Sequence, residues 1–153
     1  MKLETWELLS YIVTTIGLPA AIGVFLYEQK KERNNEEEEV YQLLSDNYQD
    51  FLKVALENPD LRLFSPEETQ SLSEAQRERM HIIFNMLVSL FERAYLLLFE
   101  SNMSSKQLRR WSSWEDYMRE WCQREDFRSR LPILLRGEDP EFVAYIESLA
   151  QRR

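Results

Sequence analysis

The chain has a single histidine, a single cysteine and three glycines in 153 residues. Each scarcity removes a class of chemistry. One His and one Cys supply too few soft ligands for a zinc site. A lone Cys122 forms no internal disulfide and fits a reducing compartment. Gly17, Gly23 and Gly137 lie too far apart for a phosphate-cradling loop, and no serine sits in a strand-to-helix elbow. Val/Ile/Thr-rich alternating runs are nearly absent, which argues against sheet. With 44% hydrophobic residues and 12% aromatics, the chain can bury a core and is not disordered. The expected fold class is all-α.

Charge excludes a further partner. Residues 1–101 carry 9 Lys/Arg against 18 Asp/Glu, a net of −9, while residues 102–153 carry 10 against 9. Phosphate binding needs a basic surface, so nucleic acid is not an expected partner. Catalytic constellations are equally thin. Glu78-x-x-His81 has the i, i+3 spacing of di-iron helical bundles, but that site needs the motif twice and two further glutamates. His81 therefore reads as a polar-face residue. Cys122 lacks a nearby base and reads as a small core residue. The many carboxylates are solvated, with nothing to separate their pKa values. No enzyme, cofactor or metal is expected.

Long hydrophobic runs are scarce too, with one exception. "LLSYIVTTIGLPAAIGVFLY", Leu8 to Tyr27, contains no charge. As a helix it spans roughly 30 Å, the thickness of a bilayer's hydrocarbon core. Trp6 and Tyr11 near one end and Tyr27 at the other suit the two interfaces. The basic residues follow the run instead of preceding it, unlike a signal peptide. Lys30, Lys31 and Arg33 then place the C-terminal flank in the cytoplasm and the N-terminus outside. Glu36 to Glu39 follow about 13 Å beyond Tyr27, where an anionic surface that attracts the basic residues repels acids. The expected organisation is a single-pass inner-membrane anchor at 1–29 and a juxtamembrane stalk helix at 30–57. Within the span Ser10, Thr14, Gly17 and Ala21 recur on one face, a small-residue stripe of the kind that lets membrane helices approach. Pro19 predicts a kink or local loosening.

Residues 58–153 are expected to form a bundle of four or five helices. Asn58-Pro59 interrupts the stalk helix. Ser65-Pro66-Glu67-Glu68 offers a helix start, and Ser73 a second one. The following helix is apolar around most of its circumference up to about Glu100. It resembles a second span by composition, but Asn85, Ser89, Glu92 and Arg93 make that costly. After a polar connection, Trp111, Trp114, Met118 and Trp121 recur at steps of three, four and three. A short helix around Phe127, Leu131, Leu134 and Leu135 ends at Gly137, and Asp139-Pro140 caps the last one.

Arg109, Arg110, Arg119 and Arg124 surround Trp111 and Trp114, a composition found at interaction hot spots and at anion or base-stacking sites. A tryptophan stripe at helical spacing more often faces a core, with the arginines paired to neighbouring acids.

The order of "ERAYLLLF" (Glu92–Phe99), "WSSWEDYMREWCQREDFR" (Trp111–Arg128) and "DPEFVAYI" (Asp139–Ile146) resembles uncharacterised bacterial proteins with one N-terminal span and a small helical cytoplasmic domain. The resemblance implies a bacterial inner-membrane setting and carries over no activity, cofactor or catalytic residue. The expected function is a membrane-anchored, non-enzymatic interaction or regulatory module. Its partners would be the lipid bilayer and a membrane or cytoplasmic protein, or further copies of itself. The alternative is an oligomeric membrane effector or channel-like subunit whose bundle senses a small anion. That reading requires Arg109, Arg110 and Arg124 to be exposed and convergent.

Overall fold

The structure, a computed structural model, describes residues 3–65 and 67–151, with the side chains of residues 3–16 and of Leu18 outside the described set. Among the described residues all regular structure is helical, with no strand. They divide into two compact units, Met1–Val40 and Tyr41–Arg153.

In the first unit the chain is a single helical segment belonging to α1, Leu3–Glu57. Pro19 is accommodated without a break. Its ring removes one backbone hydrogen bond, and the surrounding turns hold the helix. Ile22, Val24, Phe25, Leu26 and Tyr27 are all more than half exposed.

The second unit is a bundle. The end of α1 joins α2 (Glu74–Leu98), α3 (Ser105–Gln123), the single-turn helices α4 (Glu125–Arg128) and α5 (Leu131–Leu134), and α6 (Pro140–Gln151). α1 stops at Glu57 because Pro59 bars the helical conformation at Asn58, which sits at φ −123° and ψ 57°. The Asn58 amide nitrogen turns back to donate to the Val54 carbonyl at 2.8 Å. A 3₁₀ turn, Pro59–Leu61, follows, and Arg62 then adopts a left-handed conformation, φ 47°.

The predicted helix start at Ser65 is not realised. Residues 67–72 stay irregular and α2 begins only after Ser73. The reason is competition for the backbone. The Ser65 carbonyl accepts from the distant Arg124 at 2.7 Å, and Thr69 Oγ1 donates to the Leu61 carbonyl instead of joining a helical turn. Ser73 takes over with a reciprocal capping box to Gln76. Ser104 and Gln107 build the same device at the start of α3.

The single short helix expected around Phe127–Leu135 is two single turns. Pro132 has no amide to donate to a continuing helix, and it sits in the first turn of α5, where none is needed. Gly137, at φ +92°, closes that segment. Asp139 Oδ1 accepts from the amides of Glu141 and Phe142 and so caps α6.

α2 supplies nine buried side chains to the bundle. It is also long and apolar enough to cross a membrane, with a mean hydropathy of 1.4. The core accounts for that apolarity, since Phe84, Leu87, Val88, Phe91 and Ala94 are all but inaccessible. Two aromatic clusters complete the interior. Trp121 lies among Phe51, Phe64, Phe84 and Phe127, and Trp111 among Tyr95, Phe99 and Tyr145.

Candidate functional site

The tryptophan stripe on α3 points inward. Trp111, Trp114 and Trp121 are buried, as is Met118 between them. Trp111 and Trp114 therefore expose no face on which a base or a partner side chain could stack. The arginines around them go separate ways. Arg109 is exposed. Arg110 is half-buried, with its guanidinium 5.0 Å from the centre of the Tyr41 ring. Arg119 pairs with Glu115 and with Asp116. Glu115 in turn accepts from the Tyr145 hydroxyl at 2.8 Å, tying α3 to α6. Burial, followed by that carboxylate, pushes the Tyr145 hydroxyl well above its ordinary pKa.

Arg124 is the most heavily committed side chain in the bundle. It is 5% exposed and sits just after α3. Nε and Nη2 donate to the two oxygens of Asp126, at 3.0 and 2.6 Å. Nη1 donates to the carbonyls of Arg62, Leu63 and Ser65, at 2.9, 2.7 and 2.7 Å. A planar fork of donors is what this arrangement needs, and lysine has none. The result clamps the irregular 62–65 segment to the end of α3. A cleft of about 270 Å³ lies alongside, lined by Phe64, Glu120, Trp121 and Gln123. Arg124 borders it but has its donors engaged elsewhere. Arg109 and Arg110 stand four helical turns earlier, on the order of 20 Å along α3. These arginines form no convergent basic pocket.

A carboxyl cluster joins α2 to the turn before α6. Glu92 accepts from the Asp139 amide at 2.5 Å. The Glu138 carboxyl is pushed up to about 7, first by its hydrogen bond to Glu92, then by burial and by the Glu92 charge. A folded-state pKa raised above the ordinary 4.5 means that folding favours the protonated form. Its contribution is complete below pH 4.5 and is lost as pH rises through about 7. Solvent screens this partly exposed pair, so the effect is about 1 kcal/mol. Glu138→Gln should therefore lose less thermal stability than the parent between pH 5 and pH 8. Parallel declines in melting temperature, followed by circular dichroism, would rule out this pair as the cause.

Cys122 is buried, and burial pushes its thiol up to about 12. It stays a thiol at neutral pH and is a poor nucleophile. His81 and Glu78 are both exposed on α2. Among the described residues no three His, Cys, Asp or Glu side chains are grouped to hold a metal.

Of the small-residue stripe in the apolar run, the side chains of Ser10 and Thr14 lie outside the described residues, while Gly17 and Ala21 are exposed.

One feature of the bundle surface is not apparent from the sequence. A cleft of about 280 Å³ runs between the end of α1, at Asn47, Asp50 and Val54, and α2, at Met86, Ser89 and Arg93. Leu43, Ile82, Leu96 and Leu97 are also exposed on these two helices. Clustered exposed apolar side chains with a charged margin mark interaction surfaces. The available signal was that α2 carries more apolar residues than one core-facing stripe requires. No family model matches the chain, and no curated protein or solved structure matches it either.

Proposed function

We propose that this protein is a membrane-anchored, non-enzymatic interaction module, with residues 8–27 in the bilayer and residues 41–153 forming a docking bundle on its cytoplasmic side. The observation that carries this reading is the exposure of the apolar run. Phe25 is 58% exposed and Ile22 51%, with Val24 and Leu26 alongside. A contiguous apolar helix surface of this size calls for lipid or protein around it. The absence of charge from Leu8 to Tyr27 and the Lys30, Lys31, Arg33 flank support lipid as that surrounding and support this orientation. The buried, protonated thiol and the committed Arg124 support a structural and interacting role for the bundle rather than a catalytic one.

The test is fractionation of the untagged full chain. It should sediment with membranes, resist extraction by high salt and alkaline carbonate, and dissolve in detergent. Recovery in the high-speed supernatant without detergent would refute the anchor. Reporter fusions at each end, active on opposite sides of the membrane, check the orientation.

A further inference from the structure

Two cations on the first unit's helix stand together with no carboxylate bound to them. Lys30 and Arg33 are three residues apart, so they are neighbours on one face of α1. Both are exposed, and among the described residues neither makes an ion pair. Leu26 and Gln29, one turn before them, line the same shallow groove, with Glu32 and Glu36 along its other edge.

The surrounding acids are placed elsewhere. The positions three and four residues to either side of Lys30 hold Leu26, Tyr27, Arg33 and Asn34, none of them acidic. Glu28, Glu32, Glu36 and Glu39 all stand about 120° or more round the helix from Lys30. Arg33 has Glu36 and Glu37 one turn on and pairs with neither. Lys31 differs from both, since it is about 100° round from Lys30 and has Glu28 one turn before it. Like charges one turn apart are a cost to a helix, and an anion bound between them removes it.

Depth selects the anion. Lys30 lies about 4.5 Å and Arg33 about 9 Å beyond Tyr27 along the axis. The headgroup layer extends roughly 5–8 Å outside the hydrocarbon on each side, and long basic side chains adjust their height within it. Glu36, about 13 Å out, is past that layer. Lipid phosphates therefore stand level with the two cations, and the exposed Leu26 meets the acyl chain beneath them. A free anion gains nothing from Leu26. A zwitterionic headgroup already balances its own phosphate, so two unpaired cations favour a lipid of net negative charge.

We infer that Lys30 and Arg33, given the anchoring proposed above, bind the phosphate of an anionic phospholipid headgroup, with Gln29 as a further donor and Leu26 against the acyl chain. The test reads anchor and site separately. The full chain is incorporated into phosphatidylcholine vesicles and floated on a density gradient, which reports the anchor. Association of trace spin-labelled phosphatidylglycerol and phosphatidylcholine with the floated protein reports the site.

The parent should prefer phosphatidylglycerol about tenfold, and Lys30→Gln and Arg33→Gln should each lower that preference about threefold at physiological ionic strength. The double variant should associate with the two lipids nearly equally, while Lys31→Gln should stay close to the parent. All three positions are exposed, and an unchanged helical signal confirms that each variant is folded. A floated parent with no preference would overturn the site and leave the anchor standing. So would a preference that Lys31→Gln lowers as much as Lys30→Gln does, because a diffuse charge effect would then explain it. Inorganic phosphate that displaces the labelled lipid, where chloride at equal ionic strength does not, would overturn the lipid in favour of a free anion. A chain that fails to float would overturn anchor and site together.

Discussion

Arg124→Ala should cost about 3–5 kcal/mol of folding stability, the range found when one member of a buried ion pair is removed. Asp126, only 8% exposed, would keep its charge without a partner. The carbonyl of the buried Leu63 would lose its donor at the same time, while those of Arg62 and Ser65 lie where water can partly replace it. Small domains are stable by 5–15 kcal/mol, so the loss would be a large part of the total. With urea slopes of about 1–3 kcal/mol per molar, the midpoint should fall by roughly 2 M. Arg124→Lys should lie between, because a single ammonium keeps the charge but cannot serve Asp126 and three carbonyls in one plane. Arg124→Met with Asp126→Leu should cost less than Arg124→Ala alone, since it removes both charges. A loss below about 1 kcal/mol for the alanine variant would mean that water already satisfies the 62–65 carbonyls.

This clamp also explains where local sequence signals stopped being sufficient. Ser73 and Asp139 could be read as caps because a cap depends on three or four adjacent residues. Ser65-Pro66-Glu67-Glu68 carries an equally good local signal and fails, because the competitor for its carbonyl lies 59 residues away. The Ser104-x-x-Gln107 capping box carries the same short-range signal as the Ser73 one. The α3 tryptophans show the opposite case, for their three-four spacing is the signature of a buried face and they are buried. Around them, residue type alone grouped Arg109, Arg110, Arg119 and Arg124. Geometry separates them into a surface residue, a ring contact, an ion pair and a buried clamp. The α1/α2 cleft could not be read because Leu43, Asn47, Asp50 and Val54 mix polarity, and only the packing of Leu44 and Phe51 shows which stripe remains outside.

Trp121→Ala should be the most damaging core substitution, at about 3–5 kcal/mol for an indole deleted from a packed interior. Its ring meets Phe51 of α1 at 5.7 Å, Phe64 of the irregular segment at 5.4 Å, Phe84 of α2 at 6.1 Å and Phe127 of α4 at 5.8 Å, each edge to face or nearly so. No helix shift can refill that space without moving several elements together, so the cavity term should be near its upper range. Trp121→Phe keeps a ring against all four partners and should cost less than half as much. Trp121 and Arg124 also hold the same segment from two sides, the one through the Phe64 ring and the other through the carbonyls of residues 62, 63 and 65. Once either grip is weakened the other has less to hold. The double variant Trp121→Phe, Arg124→Lys should therefore be destabilised by less than the sum of the single losses, by about 0.5 kcal/mol or more. Urea titrations of the three variants and the parent measure that difference. Strict additivity would show that the two residues stabilise the bundle separately and that the 62–65 segment is not their shared load.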